Sequence, residues 1–400
     1  VPSDTPSPET EPGDRHATWM ELFFDLVAVA GIGQLTHLLH RGPSLTDFAL
    51  YLALYLAFWM VWACVTFYSD ISRDNTRIPL MLAAMLGLGL MAAAVAGFPE
   101  RHATAFAAVY VIVRLATDAV WDRGQVVVDW PTAQLSTGAI PWLISLWVPE
   151  PWKYWLWAAG LAIDMLLMFA VTGERMMAGA QESLDRRLRH SRRFAGMEPP
   201  KLQALHADPA HLGERLGLYV IIVLGEGVIV VIDAVGGVAW NAKVLALGLE
   251  SFLILACLWA LTLTFGFIPR LMSVPTAAGS IPRQHVMATH CWLTGAIATV
   301  AAGLGLVLEH AEGHPTTGIS WVLGGAAAAY FVINLFGGAR SGAGLRWALS
   351  WPLPCAALSL ALAATGPRLH PLGLVSGILV LIVWALAWES HAAGRWPGRN

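Results

Sequence analysis

Runs of about twenty apolar residues return along the whole chain, separated by short polar loops. A run of that length is what an α-helix needs to cross the hydrocarbon core of a bilayer. Such runs lie near residues 18–39, 46–68, 78–98, 103–121, 134–149, 153–172, 214–235, 243–267, 285–307, 318–338, 346–365 and 370–389. The fifth is short and carries Pro141, which makes it the weakest helix of the set. The longest polar stretch, 173–213, stands between six runs and six more. The pattern predicts an all-α, polytopic integral membrane protein with about 12 transmembrane helices in two six-helix halves. On this reading 1–17 is a cytoplasmic tail, 18–172 the first half, 173–213 a basic linker, 214–390 the second half and 391–400 a C-terminal tail.

Composition supports that picture. Of the 400 residues, 56% are hydrophobic and 13% charged, with a mean hydropathy of +0.59, whereas a soluble domain is about 25% charged. A net charge of −3 argues against a nucleic-acid partner. Cys64, Cys257, Cys291 and Cys355 all fall inside apolar runs without metal-ligand spacing, so they read as small buried hydrophobes. Residues 1–16 are rich in Pro, Ser, Thr and acids, the pattern of a disordered tail rather than a cleavable leader. With both termini cytoplasmic, 17 of the 24 Lys and Arg residues face the cytoplasm and five face outward (Arg41, Arg101, Lys153, Lys243, Arg368). That asymmetry sets the expected orientation. The basic run DRRLRHSRR at 185–193 is expected to meet anionic lipid headgroups.

The halves carry a faint internal likeness. RIPLMLAAMLGLGLMAAAVAG from Arg77 lines up with RQHVMATHCWLTGAIATVAAG from Arg283, WACVTF at 62–67 with WALTLTF at 259–265, and YVIVRL at 110–115 with YFVINL at 330–335. A parallel duplication about an axis along the membrane normal would place a site between the halves near the midplane.

Ionisable residues inside the apolar runs are the candidate chemistry, because each is costly there unless used or paired. Glu21 and Asp25 lie four apart near the start of the first run, on one helix face. Glu21 also suits the positive end of a helix. Arg114 and Asp118 share the fourth run and read as an ion pair within one helix; Asp164 stands mid-way along the sixth. The seventh opens with Glu214 and Arg215 and carries Glu226 about 18 Å deeper at 1.5 Å per residue. Asp122, Glu174, Asp233 and His37 fall at run ends and are expected to be wetted. His290, in the ninth run, reads as a hydrogen-bonded core histidine or a ligand. The candidate substrate, proton or ion-binding set is Glu21, Asp25, Arg114, Asp118, Asp164, Glu214, Arg215, Glu226 and His290, with no metal site. Of the 19 tryptophans, Trp19, Trp121, Trp130, Trp152, Trp240, Trp388 and Trp396 fit interfacial belts, and Trp59, Trp62, Trp259, Trp292 and Trp384 fall deeper. Soluble-enzyme signatures such as a P-loop, HExxH or GxSxG are lacking.

ELFFDLVAVAGIGQLTH at 21–37 and HLGERLGLYVIIVLGEG at 211–227, in that order, resemble the bacterial low temperature requirement protein A family. The resemblance implies an integral protein of the bacterial cytoplasmic membrane but no defined reaction. It maps onto Glu21, Phe23, Phe24, Asp25, Glu214, Arg215, Gly217, Gly225 and Glu226. Ala28 and Gly31 stand where a bulkier residue is common, a change expected to widen a pocket near Asp25.

Three functional classes follow. The leading one is transport or permeation of a small solute or ion, proton-coupled through Asp25 and Glu226. The second is an integral-membrane enzyme acting on an isoprenoid or lipid, the one case that calls for a cofactor, Mg²⁺. The third is a cold-adaptation scaffold without turnover.

Overall fold

The computed structural model describes residues 16–39, 43–99, 101–121, 125–190, 202–266, 282–340 and 342–393. The tail at 1–15, the C-terminal residues from 394, Asp122, and residues 191–193 of the basic run lie outside the described residues.

The chain is a bundle of helices. In order they are α1 (Trp19–Gln34), α2 (Leu45–Ser72), α3 (Ile78–Val95), α4 (Ala103–Asp118), α5 (Ala139–Ser145), α6 (Trp152–Ala170), α7 (Gly173–His190), α8 (Pro209–Gly236), α9 (Ala242–Ala260), α10 (Arg283–Glu309), α11 (Thr317–Arg340), α12 (Leu345–Ser350), α13 (Pro352–Thr365) and α14 (Pro371–Ala393). A 3₁₀ turn, Leu35–Leu38, extends α1, and a π-helical turn, Leu261–Phe265, extends α9. Two three-residue strands, β1 (Gln125–Val127) and β2 (Gln203–Leu205), pair in parallel with Gln125 opposite Gln203.

Among the described residues ten helices are long and apolar enough to cross a membrane. Their starts follow local chemistry. Thr18 and Glu21 form a reciprocal capping box on α1, Ser44 and Asp47 do so on α2, and Asn241 caps α9 through Val244 N–H. The fourth and fifth predicted runs are the exceptions. The fourth is the 16-residue α4. The fifth contains only the seven-residue α5, about 10 Å of helix at 1.5 Å per residue. A 3₁₀ turn at Pro131–Gln134 and a loop precede α5. The stretch expected as a linker, 173–213, holds α7, β2 and the start of α8.

Two rings of neighbours emerge. In the first, α1 packs on α3, α3 on α4, α4 on α5, α5 on α6, α6 on α2 and α2 on α1. In the second, α8 packs on α10, α10 on α11, α11 on α13, α13 on α14, α14 on α9 and α9 on α8. The rings meet chiefly where α1 lies against α8, and α10 also reaches α2 and α6. Outward faces are apolar: Leu82, Leu86 and Leu90 on α3, Leu249 and Phe252 on α9, and Val380 and Val383 on α14 are all exposed. Charged groups lie inside instead, with Asp25, Asp70, Asp164, Arg114 and Arg215 buried. Such an inverted arrangement is what a lipid solvent requires.

Small residues let α10 sit at the centre. At Gly303 an added Cβ would come within 2.8 Å of Leu323 Cα on α11, so only glycine allows the two backbones to close in. Gly303→Val is expected to destabilise the protein by about 1–3 kcal/mol through overpacking, measured by thermal unfolding of the purified protein in detergent.

Candidate functional site

The site begins at the N-terminal ends of α1 and α8. Glu21 serves first as a helix cap: its Oε2 accepts from Thr18 N at 2.9 Å. Asp208 caps α8 by accepting from Ala210 N at 3.0 Å and His211 N at 3.3 Å, and Pro209 at the first helical position needs no partner for an N–H. These caps set the two helix starts at one level, where Ala17 N donates to Glu214 Oε2 at 3.2 Å.

One turn along α1, Asp25 meets Arg215 of α8. Arg215 Nη2 donates to Asp25 Oδ1 at 2.6 Å and Nε to Oδ2 at 3.1 Å, a bidentate pair in which neither side chain is exposed. The third guanidinium nitrogen, Nη1, lies 3.1 Å from Glu21 Oε1 and donates to Ser69 Oγ at 3.1 Å. Nη2 also reaches Thr66 Oγ1 at 3.4 Å. Trp62 donates its indole N–H to Asp25 Oδ1 at 2.7 Å. Beside this pair, His211 Nδ1 is hydrogen-bonded to Asp70 Oδ1, while its Nε2 lies 3.4 Å from Glu21 Oε2. Asp70 Oδ2 in turn accepts from Asp208 N at 2.7 Å, joining the end of α2 to the start of α8. Glu21, Asp25, Asp70, His211 and Arg215 therefore form one buried network between three helices.

An aromatic layer roofs it. Trp62 packs on Tyr219 with ring centroids 3.9 Å apart and on His290 at 5.2 Å. Trp59 Nε1 donates to His290 Nδ1 at 3.3 Å, which leaves Nε2 to donate to Leu216 O at 3.2 Å. His290 is thus a buried histidine with both ring nitrogens hydrogen-bonded. At Gly31 an added Cβ would strike the Phe58 ring, so the small residue makes room for an aromatic one.

Arg114 and Asp164 form a second buried pair, 3.3 Å apart, between α4 and α6. The partner of Arg114 is thus Asp164 rather than Asp118, which is half-buried on the same helix. Arg114 also donates to Leu135 O at 3.0 Å and contacts Cys64 Sγ. Ser136 Oγ donates to Arg114 O at 3.2 Å. These bonds hold the broken chain before α5, and Gly138 lies against the Asp164 carboxylate. Trp130, expected at an interface, is fully buried here against Phe67 and Trp59.

Glu226 stands apart from Asp25. It lines a small cavity with Val29, Ile32, Gly33, Thr36 and Tyr51, further along the same α1–α8 contact. A Cβ on Gly33 would fall on the Glu226 carboxylate, so glycine there is what admits the acid between the helices. Tyr51 Oη lies 3.3 Å from Thr299 Oγ1 of α10.

Asp70, His211, Thr66 and Ser69 are members that the sequence reading did not single out. Their signals were present. Thr66, Ser69 and Asp70 share one helical face at spacings of three and four. Asp208–Pro209 is a helix start that places His211 in the first turn of α8.

An apolar exterior around buried ion pairs on helices long enough to span defines a multi-pass membrane protein. The bacterial low temperature requirement A protein (LtrA) family model matches residues 16–387, nearly the whole chain, and the chain belongs to that family. No curated protein and no solved structure matches it.

Arg215→Met leaves Asp25 and Glu21 buried without their guanidinium and is expected to cost about 3–5 kcal/mol of stability. Combining it with Asp25→Asn should cost less than the two single changes added together, read from a double-mutant cycle of unfolding midpoints.

Proposed function

We propose that the protein moves a small solute or ion across the membrane between its two halves, with buried carboxylates as proton-coupled carriers. One observation carries this reading. Helices α1 and α8 run side by side in the same direction, Ala17 meeting Glu214, Asp25 meeting Arg215, and Gly33 meeting Glu226. Parallel first helices are what a duplication about an axis along the membrane normal requires, and substrate sites in such proteins lie at the repeat interface. The two neighbour rings agree in order, α1-α3-α4-α5-α6-α2 beside α8-α10-α11-α13-α14-α9. The fifth passage is broken in each, before α5 in one and between α12 and α13 at Trp351 in the other. Interrupted helices at corresponding positions are a recurrent mark of transporters.

In this mechanism both termini face the cytoplasm, as the Lys and Arg distribution favours. The Asp25–Arg215 pair closes the cytoplasmic side of the α1–α8 interface, and Glu226 receives the ion on the far side. Rocking of one half against the other frees Asp25 to exchange guanidinium for proton. The basic run at 185–193 rests on anionic headgroups at that cytoplasmic face. The isoprenoid enzyme reading has less support, because the aromatic side chains of Trp59, Trp62 and Tyr219 are fully buried, Trp62 in ring contact with both others.

Reconstituted vesicles carrying an internal pH dye test the proposal. Glu226→Gln and Asp25→Asn should each abolish proton flux driven by an imposed pH gradient. Wild-type rates in both variants would sink it.

A further inference from the structure

His211 sits in the first turn of α8, fully buried, with a carboxylate on either side of its ring. Nδ1 is hydrogen-bonded to Asp70 Oδ1 of α2, and Nε2 lies 3.4 Å from Glu21 Oε2 of α1. Among the described residues no hydrogen-bond donor reaches Nε2. A neutral imidazole has one N–H and one bare lone pair, whereas an imidazolium donates from both nitrogens. The neutral ring would spend its proton on Asp70 and turn the lone pair toward the Glu21 carboxylate, in a place closed to water. A proton at Nε2 converts that repulsion into an ion pair.

Both acids are already occupied as acceptors. Glu21 Oε2 accepts from Thr18 N and Thr18 Oγ1, each at 2.9 Å, and Oε1 faces Arg215 Nη1 at 3.1 Å. Asp70 Oδ2 accepts from Asp208 N at 2.7 Å. With two hydrogens already directed at Glu21 Oε2, a further proton belongs on the ring. Charge accounting points the same way. Glu21, Asp25 and Asp70 bring three negative charges to the buried network, and Arg215 brings one positive charge. A neutral His211 leaves an excess of two in a low-dielectric interior, and an imidazolium halves it. The other ionisable groups nearby are half-buried or exposed, and each has its own partner. Asp208 caps α8 through Ala210 N and His211 N, His206 meets Asp129, and His16 meets Glu214.

We propose that His211 is a proton-binding site, occupied as an imidazolium wedged between Asp70 and Glu21, and that its proton is a removable clasp holding the start of α8 against α1 and α2. Taking the proton away turns a bare nitrogen toward an acid and weakens the joints to both helices together. The clasp lies at the end of the α1–α8 interface assigned to the cytoplasm. Its use, letting one half rock against the other, rests on the permeation reading; its occupancy does not.

Nitrogen NMR of the full chain in detergent, with nitrogen-15 in the imidazole rings, tests the site. It reads the ring nitrogens themselves, so protonation of a carboxylate is not mistaken for protonation of histidine. The chain has 13 histidines, and the signals missing from His211→Gln, or from His211→Asn should the first variant not fold, identify the pair. At pH 8, where an exposed histidine is neutral, both His211 nitrogens should show the imidazolium signature. Asp70→Asn should weaken the proton affinity of the ring by about tenfold or more. Glu250→Gln, whose carboxylate meets Ser376 of α14, should leave it unchanged. One protonated and one bare nitrogen in the wild type at pH 7 would overturn the inference, as would a ring whose titration ignores Asp70→Asn. If Asp70→Asn does not fold, the wild-type spectrum decides alone. An imidazolium in a protein without vesicle flux would keep the site and remove its use in transport; flux with a neutral ring would keep transport and remove the site.

Discussion

A guanidinium buried beside two carboxylates is the constraint around which the rest is arranged. Arg215 cannot be left alone in a low-dielectric interior, and neither can Asp25. Each is satisfied only when α1 and α8 lie in one register, because the bidentate geometry tolerates little sliding. Ser69 and Thr66 of α2 complete the guanidinium shell, so the same requirement fixes a third helix. Asp70 then ties α2 to the backbone at the start of α8. Lipid supplies no hydrophobic force to bring helices together, which leaves such polar contacts and close backbone packing to choose the neighbours.

Much of the architecture was legible in the sequence because it depends on length and apolarity alone. Ten spans appear close to where their runs predicted them, and Glu21 and Asp25 share a helical face as their spacing requires. What stayed hidden has physical causes. Run boundaries drawn from hydropathy stop at the first polar residues, so Asp70 and His211 were left in loops although α2 extends to Ser72 and α8 begins at Pro209. Arg114 sits one turn from Asp118 in sequence, yet its partner comes from α6, because burial favours the more enclosed carboxylate. The separation of Asp25 from Glu226 depends on which α1 residue stands level with Arg215, which no single-helix pattern encodes.

The tryptophans show the same division. Trp19, Trp152 and Trp240 are exposed, as expected of interfacial residues, whereas Trp130 has the same flanking polarity in sequence and is buried. Trp59 and Trp62 are deep for a reason other than bulk: each indole N–H is spent on a buried acceptor, His290 in one case and Asp25 in the other.

The division of charges along the chain has a consequence for how the protein is made. Glu21, Asp25 and Asp70 are synthesised first, and Arg215 and His211 follow only after more than a hundred further residues. Synthesis from the N-terminus delivers α1 and α2 to the bilayer with their acids still awaiting the α8 cation. The early half is therefore an electrostatically incomplete assembly, and the arrival of α8 is the step that supplies the guanidinium and the imidazole that close the network.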